Sequence, residues 1–129
     1  MFTYTMRVRD YECDLQKVVN NSVYQNYLEH ARHEFLLANG VDFAALAHAG
    51  INLMVLRVEI DYKKPLKSQD DFYVTVAVQK LSRIQYAFVQ NIYHQTDNRL
   101  IVSAKTLGVA VNEQGRPMAS PHLESLLQA

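Results

Sequence analysis

Hydrophobic and polar residues alternate along most of the chain, which is the period of a half-buried strand. In the opening segment Phe2, Tyr4, Met6 and Val8 fall on one face and polar residues on the other. The same alternation predicts four more strands, over residues 54–63, 72–79, 84–92 and 101–111. The connections between these four strands are short and rich in turn residues, so we expect consecutive strands to pair antiparallel.

One segment between the first two strands has the period of a helix instead. Over residues 22–38 an apolar stripe with i, i+3, i+4 spacing is formed by Tyr24, Tyr27, Leu28, Ala31, Phe35 and Ala38. Asn20 or Asn21 can cap its start, and Asn39-Gly40 supplies a left-handed stop. A short helical turn is predicted at residues 42–46, and residues 10–21 show no sustained period and predict a loop.

The predicted order is one strand, one long helix and four long strands. Long antiparallel strands coil with their intrinsic twist, and a coiled sheet can wrap a single helix on its concave face. We therefore predict an α+β fold, with a five-stranded antiparallel sheet around the helix, as one domain over residues 1–129. The sheet keeps two open edges, which favour pairing with another copy, so we expect a homodimer or homotetramer.

Composition narrows the possible partners and compartments. Thirteen basic and thirteen acidic residues leave no net charge, which argues against a nucleic-acid partner. Cys13 is the only cysteine, so an internal disulfide and a CxxC zinc site are excluded. No apolar run approaches the roughly 20 residues that span a bilayer, and the first residues alternate as a strand with no signal-peptide pattern. These features predict a cytoplasmic protein with no membrane partner.

The most informative stretch is residues 11–24, YECDLQKVVNNSVY. It resembles the signature of the hotdog thioesterases, specifically the group of 4-hydroxybenzoyl-CoA and acyl-ACP thioesterases. In that group an aspartate follows the first strand, a Val or Asn-Asn segment enters the central helix, and a tyrosine comes soon after. The matching positions here are Asp14, Val18-Val19, Asn20-Asn21 and Tyr24. The similarity continues through residues 29–32 (EHAR) and 60–65 (IDYKKP).

The resemblance implies the hotdog fold and hydrolysis of acyl-CoA, or possibly acyl-ACP, thioesters. Asp14 would be the general base or the nucleophile, and the backbone N–H of Asn21 at the helix start would accept the developing oxyanion. Two departures stand out. Leu15-Gln16-Lys17 replaces the usual small residues, and Asn21 stands where some relatives carry a histidine seven positions beyond the aspartate. Asp14 is retained, but the imidazole that some relatives carry at the position of Asn21 is missing.

Further residues are candidates for substrate binding, each with a plain structural alternative. The acyl or aroyl group is expected to contact Val19, Asn20, Tyr24, Tyr27, Leu28 and Met54. The same residues serve equally well as helix cap and core. The phosphates of coenzyme A are expected near Lys63, Lys64, Lys67 and Arg83, which gather near strand ends and would otherwise form a solvated rim. An aspartate between a strand and a helix is itself most often a turn or cap residue.

Other chemistries lack their sequence patterns. The chain has no HExxH, GxSxG or GxGxxG motif, so we expect no metal, no other cofactor and no serine nucleophile. Cys13 is expected to be a small buried residue, and Glu29 and Arg32 are expected to form a helix ion pair or an interface contact. Two rival functions remain open: a non-catalytic acyl-thioester-binding module, and a hotdog dehydratase or hydratase. The latter would need a histidine and an acid, and no histidine closely follows Asp14.

Overall fold

The computed structural model describes residues 1–127, apart from the side chain of Phe43. The elements in chain order are β1 (Phe2–Arg7), a 3-10 turn (Asp10–Glu12), α1 (Asn21–Ala38), α2 (Phe43–His48), β2 (Asn52–Tyr62), β3 (Asp71–Lys80), β4 (Gln85–His94), β5 (Leu100–Val111), β6 (Pro117–Met118) and α3 (Pro121–Leu126). The strands form one antiparallel sheet in the order β1-β3-β4-β5-β2, and the short β6 pairs with β5. The predicted α+β architecture is confirmed, with β6 and α3 as elements that the hydrophobic pattern did not reveal.

Residues with capping functions flank the long helix α1 at both ends. The Asn20 side chain accepts a hydrogen bond from the Ser22 N–H at 3.1 Å, and Gly40 follows the helix with a φ of +77°. Its buried face packs mainly on β3 and β1. The ring of Tyr27 lies 4.6 Å from that of Phe72, measured between centroids. The helix therefore covers the β1–β3 side of the sheet and leaves the β2 side open.

The expectation that consecutive strands pair is wrong for β2. This strand lies at the edge opposite β1 and pairs with β5, whereas β3 lies between β1 and β4. The connection of residues 63–70 crosses the end of the sheet instead of closing a hairpin. It is held there because its Leu66 carbonyl accepts the Val19 N–H at 2.8 Å and its Asp70 carbonyl accepts the Val8 N–H at 3.0 Å. These tertiary hydrogen bonds, which turn composition does not reveal, decide the strand order.

A β-bulge interrupts the alternation predicted for β2. The register with β5 shifts between Val55 and Arg57, so that one extra residue lies on the β2 side. Leu53 and Ile60, which are an odd number of positions apart, consequently both pack against the core. Met54, Val55 and Leu56 are each more than half exposed. The strand thus presents apolar side chains to solvent at an unpaired edge.

The C-terminal helix α3 is fastened to the sheet by a buried apolar face and one carboxylate. Leu123 and Leu126 are buried, and Ser120 caps the helix by accepting the Leu123 N–H. The Glu124 carboxylate accepts hydrogen bonds from the Lys80 ammonium and the Tyr86 hydroxyl. These two hydrogen bonds, Lys80 first, lower the pKa of Glu124 below its ordinary value of 4.5.

A group with a lowered pKa in the folded state stabilises the fold above its ordinary pKa and loses that contribution as the pH falls. We therefore expect Glu124→Gln to lower the free energy of unfolding at pH 7, and the difference from the wild type to shrink as the pH falls from about 5 to about 3. Urea denaturation across this pH range measures both effects. Asp61→Asn is the control, because the Asp61 side chain has no hydrogen bond or ion pair within residues 1–127. A constant difference between Glu124→Gln and wild type at every pH would contradict this account.

Candidate active site

The loop before α1 folds back on itself and fixes the position of Asp14. The Asp14 N–H donates to the Val18 carbonyl at 2.9 Å, and the Asn20 N–H donates to the Glu12 carbonyl at 3.0 Å. A tight turn between them is made possible by Lys17, whose φ is +67°. Asp14 therefore lies opposite Val18, and Val18 itself precedes the first residue of α1 by three positions. These backbone hydrogen bonds hold Asp14 against the segment that leads into α1.

The Asp14 carboxylate is exposed, and one of its two oxygens accepts a hydrogen bond. Its Oδ1 accepts the Gln16 N–H at 2.8 Å, which restricts the rotation of the side chain. Within residues 1–127 the other oxygen has no hydrogen-bond partner. One oxygen is therefore held by the backbone, and the second can accept a proton from water or attack a carbonyl carbon.

The first turn of α1 presents a backbone donor beside this loop. The Asn20 side chain and carbonyl accept the N–H groups of Ser22 and Val23. The Asn21 N–H, in contrast, has no acceptor in the described part of the chain. Helix N-termini favour negative charge, because their N–H groups point outward and the helix dipole is positive there. The Asn21 N–H can therefore stabilise an oxyanion.

A cavity of about 220 Å³ opens at this helix start. It brings together five residues predicted from the sequence, namely Val19, Asn21, Tyr24, Lys63 and Lys64, with Val18, Tyr62 and Pro65 as further lining residues. The Tyr24 hydroxyl accepts the Leu66 N–H at 3.0 Å, so this ring is fixed to the crossing connection. The cavity thus joins the last residues of the loop, the helix and the end of β2, and its lining does not include the predicted site residues Asp14 and Asn20.

Tyr62 is a residue of this cavity that the sequence reasoning did not single out. Its hydroxyl donates to the Asn21 carbonyl at 3.3 Å, and its ring lies 5.7 Å from the ring of Tyr24. The residue belongs to the IDYKKP segment, so a signal was present in the sequence. Tyr62 therefore contacts the carbonyl of the same residue whose N–H is the free donor.

Tyr27 and Leu28, predicted to contact substrate, are both buried in the core and line neither of the two cavities described here. The Tyr27 hydroxyl donates to the buried Glu12 carboxylate at 2.7 Å, and the Arg9 N–H donates to the same oxygen at 2.8 Å. Burial, and then the hydrogen bond to Glu12, raise the pKa of Tyr27. The contact ties the loop that carries Asp14 to the centre of α1.

The predicted cationic cluster is only partly assembled. Lys63 and Lys64 line the cavity, and the backbone of Lys67 forms an isolated β-bridge with Val18, which also lines it. Arg83 does not join them, because it lies in the β3–β4 turn at the far end of a ten-residue strand, about 30 Å from the strand start. Placing Arg83 in the cluster was wrong. All four cations lie near strand ends in the sequence, but the start and the end of one strand lie at opposite ends of an antiparallel sheet.

Met54 lines a second cavity, of about 350 Å³, farther along α1. Its walls are Gln25, Glu29, Arg32, His33 and Leu36 from α1 and Leu53, Met54, Val55 and Val58 from β2, over a floor that includes Tyr86, Phe88, Thr106, Gly108 and Val109. We call this cavity the helix-side groove. It exists because α1 packs toward β1 and β3 and leaves β2 uncovered.

The sequence also predicts structural roles for Cys13, Glu29 and Arg32. The pKa of the Cys13 thiol is raised, first by burial and then by the nearby carboxylates, which is consistent with an unreactive thiol. The predicted ion pair between Glu29 and Arg32 is not formed. Glu29 lies 3.8 Å from His33 instead, and Arg32 turns toward the sheet.

Within residues 1–127 no group of three or more His, Cys, Asp or Glu side chains could hold a metal ion, and no helix is long and apolar enough to cross a membrane.

Curated relatives of the chain include plant proteins of longer sequence. The chain is 34% identical over 116 residues to the chloroplastic acyl-acyl carrier protein thioesterase ATL3 of Arabidopsis thaliana, a match that covers 90% of this chain and 61% of that protein. A second Arabidopsis acyl-acyl carrier protein thioesterase, ATL2, is also 34% identical over 93% of this chain and 64% of its own length. The chain therefore spans less than two thirds of these relatives.

Among solved structures, a 1,4-dihydroxy-2-naphthoyl-CoA thioesterase from Synechocystis superposes with a TM-score of 0.92 at 18% identity, covering 98% of this chain and 95% of that one. A hypothetical protein from Aquifex aeolicus superposes with a TM-score of 0.89 at 32% identity, over 98% and 99% of the two chains. These likenesses confirm the hotdog fold. The model of the thioesterase-like superfamily matches residues 8–129, and the chain belongs to that family.

Proposed function

We propose that this protein hydrolyses acyl thioesters of coenzyme A or acyl carrier protein to the free acid and the thiol. The observations that carry the proposal are an Asp14 carboxylate with one unbonded oxygen, in a loop whose backbone pairs Asp14 with Val18 just before α1, and an unbonded N–H of Asn21 at the first residue of that helix. The family and the relatives named as thioesterases support the same reaction. The proposal includes no metal or other cofactor.

The chemistry asks little of the protein. The thioester carbonyl accepts a hydrogen bond from the Asn21 N–H, which stabilises the oxyanion that forms when the carbonyl carbon is attacked. Asp14 either takes a proton from the attacking water or attacks directly, forming a mixed anhydride that water then hydrolyses. The C–S bond breaks and the electron pair leaves with sulfur. A thiolate whose conjugate acid has a pKa of about 8.5 is a good leaving group without a general acid.

The surroundings suggest how the substrate is held. Lys63 and Lys64, with Lys67 close by, offer positive charge for the phosphates of the carrier. Val19 and Tyr24 lie beside the carbonyl position, and Asn20 keeps the helix start rigid. The acyl group then follows α1 toward Met54 in the helix-side groove. A cytoplasmic setting remains a prediction.

We expect Asp14→Asn to lower kcat about a hundredfold or more, equivalent to at least about 2.7 kcal/mol, while the free energy of unfolding stays near that of the wild type. The amide keeps an oxygen for the Gln16 N–H but removes the negative charge and the basicity. Hydrolysis of a panel of acyl-CoA thioesters, followed by release of free thiol, measures the activity.

Asp42→Asn is a matched control for this variant. Asp42 accepts the N–H of Ala44 two residues on, as Asp14 accepts that of Gln16, but it caps α2 and lies outside the loop before α1. It should keep wild-type kcat. Wild-type turnover in Asp14→Asn would rule out the catalytic role, and joint loss of stability and activity would make Asp14 a turn residue. Binding of acyl-CoA without any hydrolysis by the wild type would favour a non-catalytic binding module.

The double variant Lys63→Ala/Lys64→Ala should raise KM for acyl-CoA severalfold with little change in kcat, because these cations attract the phosphates and do not touch the reacting carbon. The increase should diminish at high salt, where surface charges are screened. Arg116→Ala is the control, since this exposed cation lies in the turn between β5 and β6. An equal KM for wild type and double variant at low salt would remove these lysines from the carrier site.

We also propose that β2 pairs with a second copy of the chain. Its outer edge has no strand neighbour among residues 1–127, and it exposes the apolar side chains of Met54, Val55 and Leu56. An apolar unpaired edge is a ready template for another strand. The other edge, β1, exposes the polar residues Thr3, Thr5 and Arg7, so β2 is the better interface.

Leu56→Lys should therefore shift the protein toward monomer, because the charge would be buried at the strand interface. Light scattering of the wild type is expected to give the mass of at least two chains. Leu81→Lys introduces the same charge at an exposed leucine in the β3–β4 turn and should leave the assembly unchanged. A fully active wild-type monomer would refute this interface.

A further inference from the structure

We infer that Arg32 forms a polar subsite in the helix-side groove that selects acyl groups ending in an oxygen substituent, a carboxylate or a hydroxyl. The inference rests on the proposed function and deepens it by naming a substrate class. It starts from a side chain that the catalytic site does not use. Arg32 projects from the middle of α1 into a groove whose opposite wall, on β2, is apolar.

The guanidinium is held in place by neutral partners. Its Nη1 donates to the Gln90 Oε1 at 3.0 Å, and the Thr106 hydroxyl oxygen lies 3.4 Å from the same nitrogen. Gln90 is fully buried and its amide nitrogen donates to the Leu28 carbonyl at 2.9 Å, which fixes the orientation of the amide. The arginine is therefore positioned by the sheet and the helix together, as part of one hydrogen-bond network.

The positive charge of Arg32 has no carboxylate partner within residues 1–127. Glu29 is near enough to raise the pKa of Arg32, but burial opposes it more strongly and the net shift is downward. Glu29 itself lies 3.8 Å from His33. Arginine carries five N–H donors in a planar fork, and the remaining donors, on Nη2 and Nε, have no acceptor in the described chain. A partly buried cation with unused donors favours an oxygen acceptor from a ligand.

Arg32 lies on the same face of α1 as Asn21, whose backbone N–H is the proposed oxyanion donor. Asn21 and Arg32 are 11 positions apart, which is about three helical turns and about 16 Å along the axis. Gln25 lies between them on this face and lines the groove. An extended chain advances about 1.2 Å per bond, so roughly a dozen bonds connect the two positions. An acyl group of about that length, with its carbonyl at Asn21, brings its far end to the guanidinium.

The test compares three thioesters of equal length, namely dodecanoyl-CoA, ω-hydroxydodecanoyl-CoA and dodecanedioyl-CoA. For the wild type we expect kcat/KM to be about tenfold or more higher for the dioyl substrate than for dodecanoyl-CoA, with the hydroxy substrate between them. A bare methyl terminus would cover the guanidinium without offering it an acceptor, and this lost hydrogen bond is the source of the discrimination. The cation should favour the carboxylate over the hydroxyl.

Arg32→Met should reverse this order, because a flexible apolar side chain of similar length suits a methyl terminus and cannot donate a hydrogen bond. Arg57→Met is the matched control. Arg57 lies on β2, pairs with Glu59 at 3.1 Å and does not line the groove, so the order should stay as in the wild type. Light scattering on both variants checks the assembly, and urea denaturation checks the fold.

Three results would overturn the inference: a wild type that hydrolyses dodecanoyl-CoA as well as the other two, an Arg32→Met variant that loses activity equally on all three, or an Arg32→Met variant that becomes monomeric and so shows Arg32 to be an interface residue. In the first case the proposed hydrolysis still stands. If no thioester is hydrolysed, the proposed function fails, and equilibrium binding of the same thioesters to wild type and Arg32→Met decides the role of Arg32. A variant too unstable to assay is replaced by Arg32→Lys, which keeps the charge without the fork and should weaken the preference for the dioyl substrate.

Discussion

The contacts of one buried residue, Leu66, hold the functional end of this molecule together. Its carbonyl accepts the Val19 N–H at 2.8 Å, its N–H donates to the Tyr24 hydroxyl at 3.0 Å, and its side chain is fully buried. Leu66 thereby joins the Asp14 loop, helix α1 and the connection that crosses from β2 to β3. Each unpaired buried backbone group would cost about 1–3 kcal/mol, so the hydrogen bonds of Leu66 hold the three segments together. The position of Asp14 relative to the helix start depends on this junction.

The placement of α1 on the β1 and β3 side of the sheet has two consequences for function. It leaves a groove between the helix and β2, where the charged and polar residues of α1 face apolar residues of the edge strand. It also leaves β2 exposed as an unpaired edge with apolar side chains. The proposed acyl groove and the proposed subunit interface are therefore adjacent, and the β-bulge at residues 55–57 lies between them. A chain that bound substrate here would do so next to its partner.

The sparse candidate site is consistent with the chemistry proposed for it. A thiolate leaving group needs no general acid, so a carboxylate and one backbone donor suffice in principle. The absence of a histidine close to Asp14 in the sequence is then no obstacle to hydrolysis, although it is one for moving protons at carbon. The buried pair of Glu12 and Tyr27 adds rigidity beneath the loop, because it ties the residue two positions before Asp14 to the helix core.

The sequence by itself determined the elements and the candidate catalytic stretch. Periods of two and of about 3.6 located β1, α1 and the long strands to within two residues, because burial of one face leaves a repeating pattern in the chain. The YECDLQKVVNNSVY segment pointed to Asp14, which lies in the loop before α1, and to Asn21, which is the first residue of that helix. The same pattern did not reveal the position of β2, its bulge, or the separation of Arg83 from the lysines. Only the tertiary structure decided these features, together with the position of Tyr62 and the unpaired charge of Arg32. They depend on which distant groups satisfy each other's hydrogen bonds, and local periodicity carries no record of such partners.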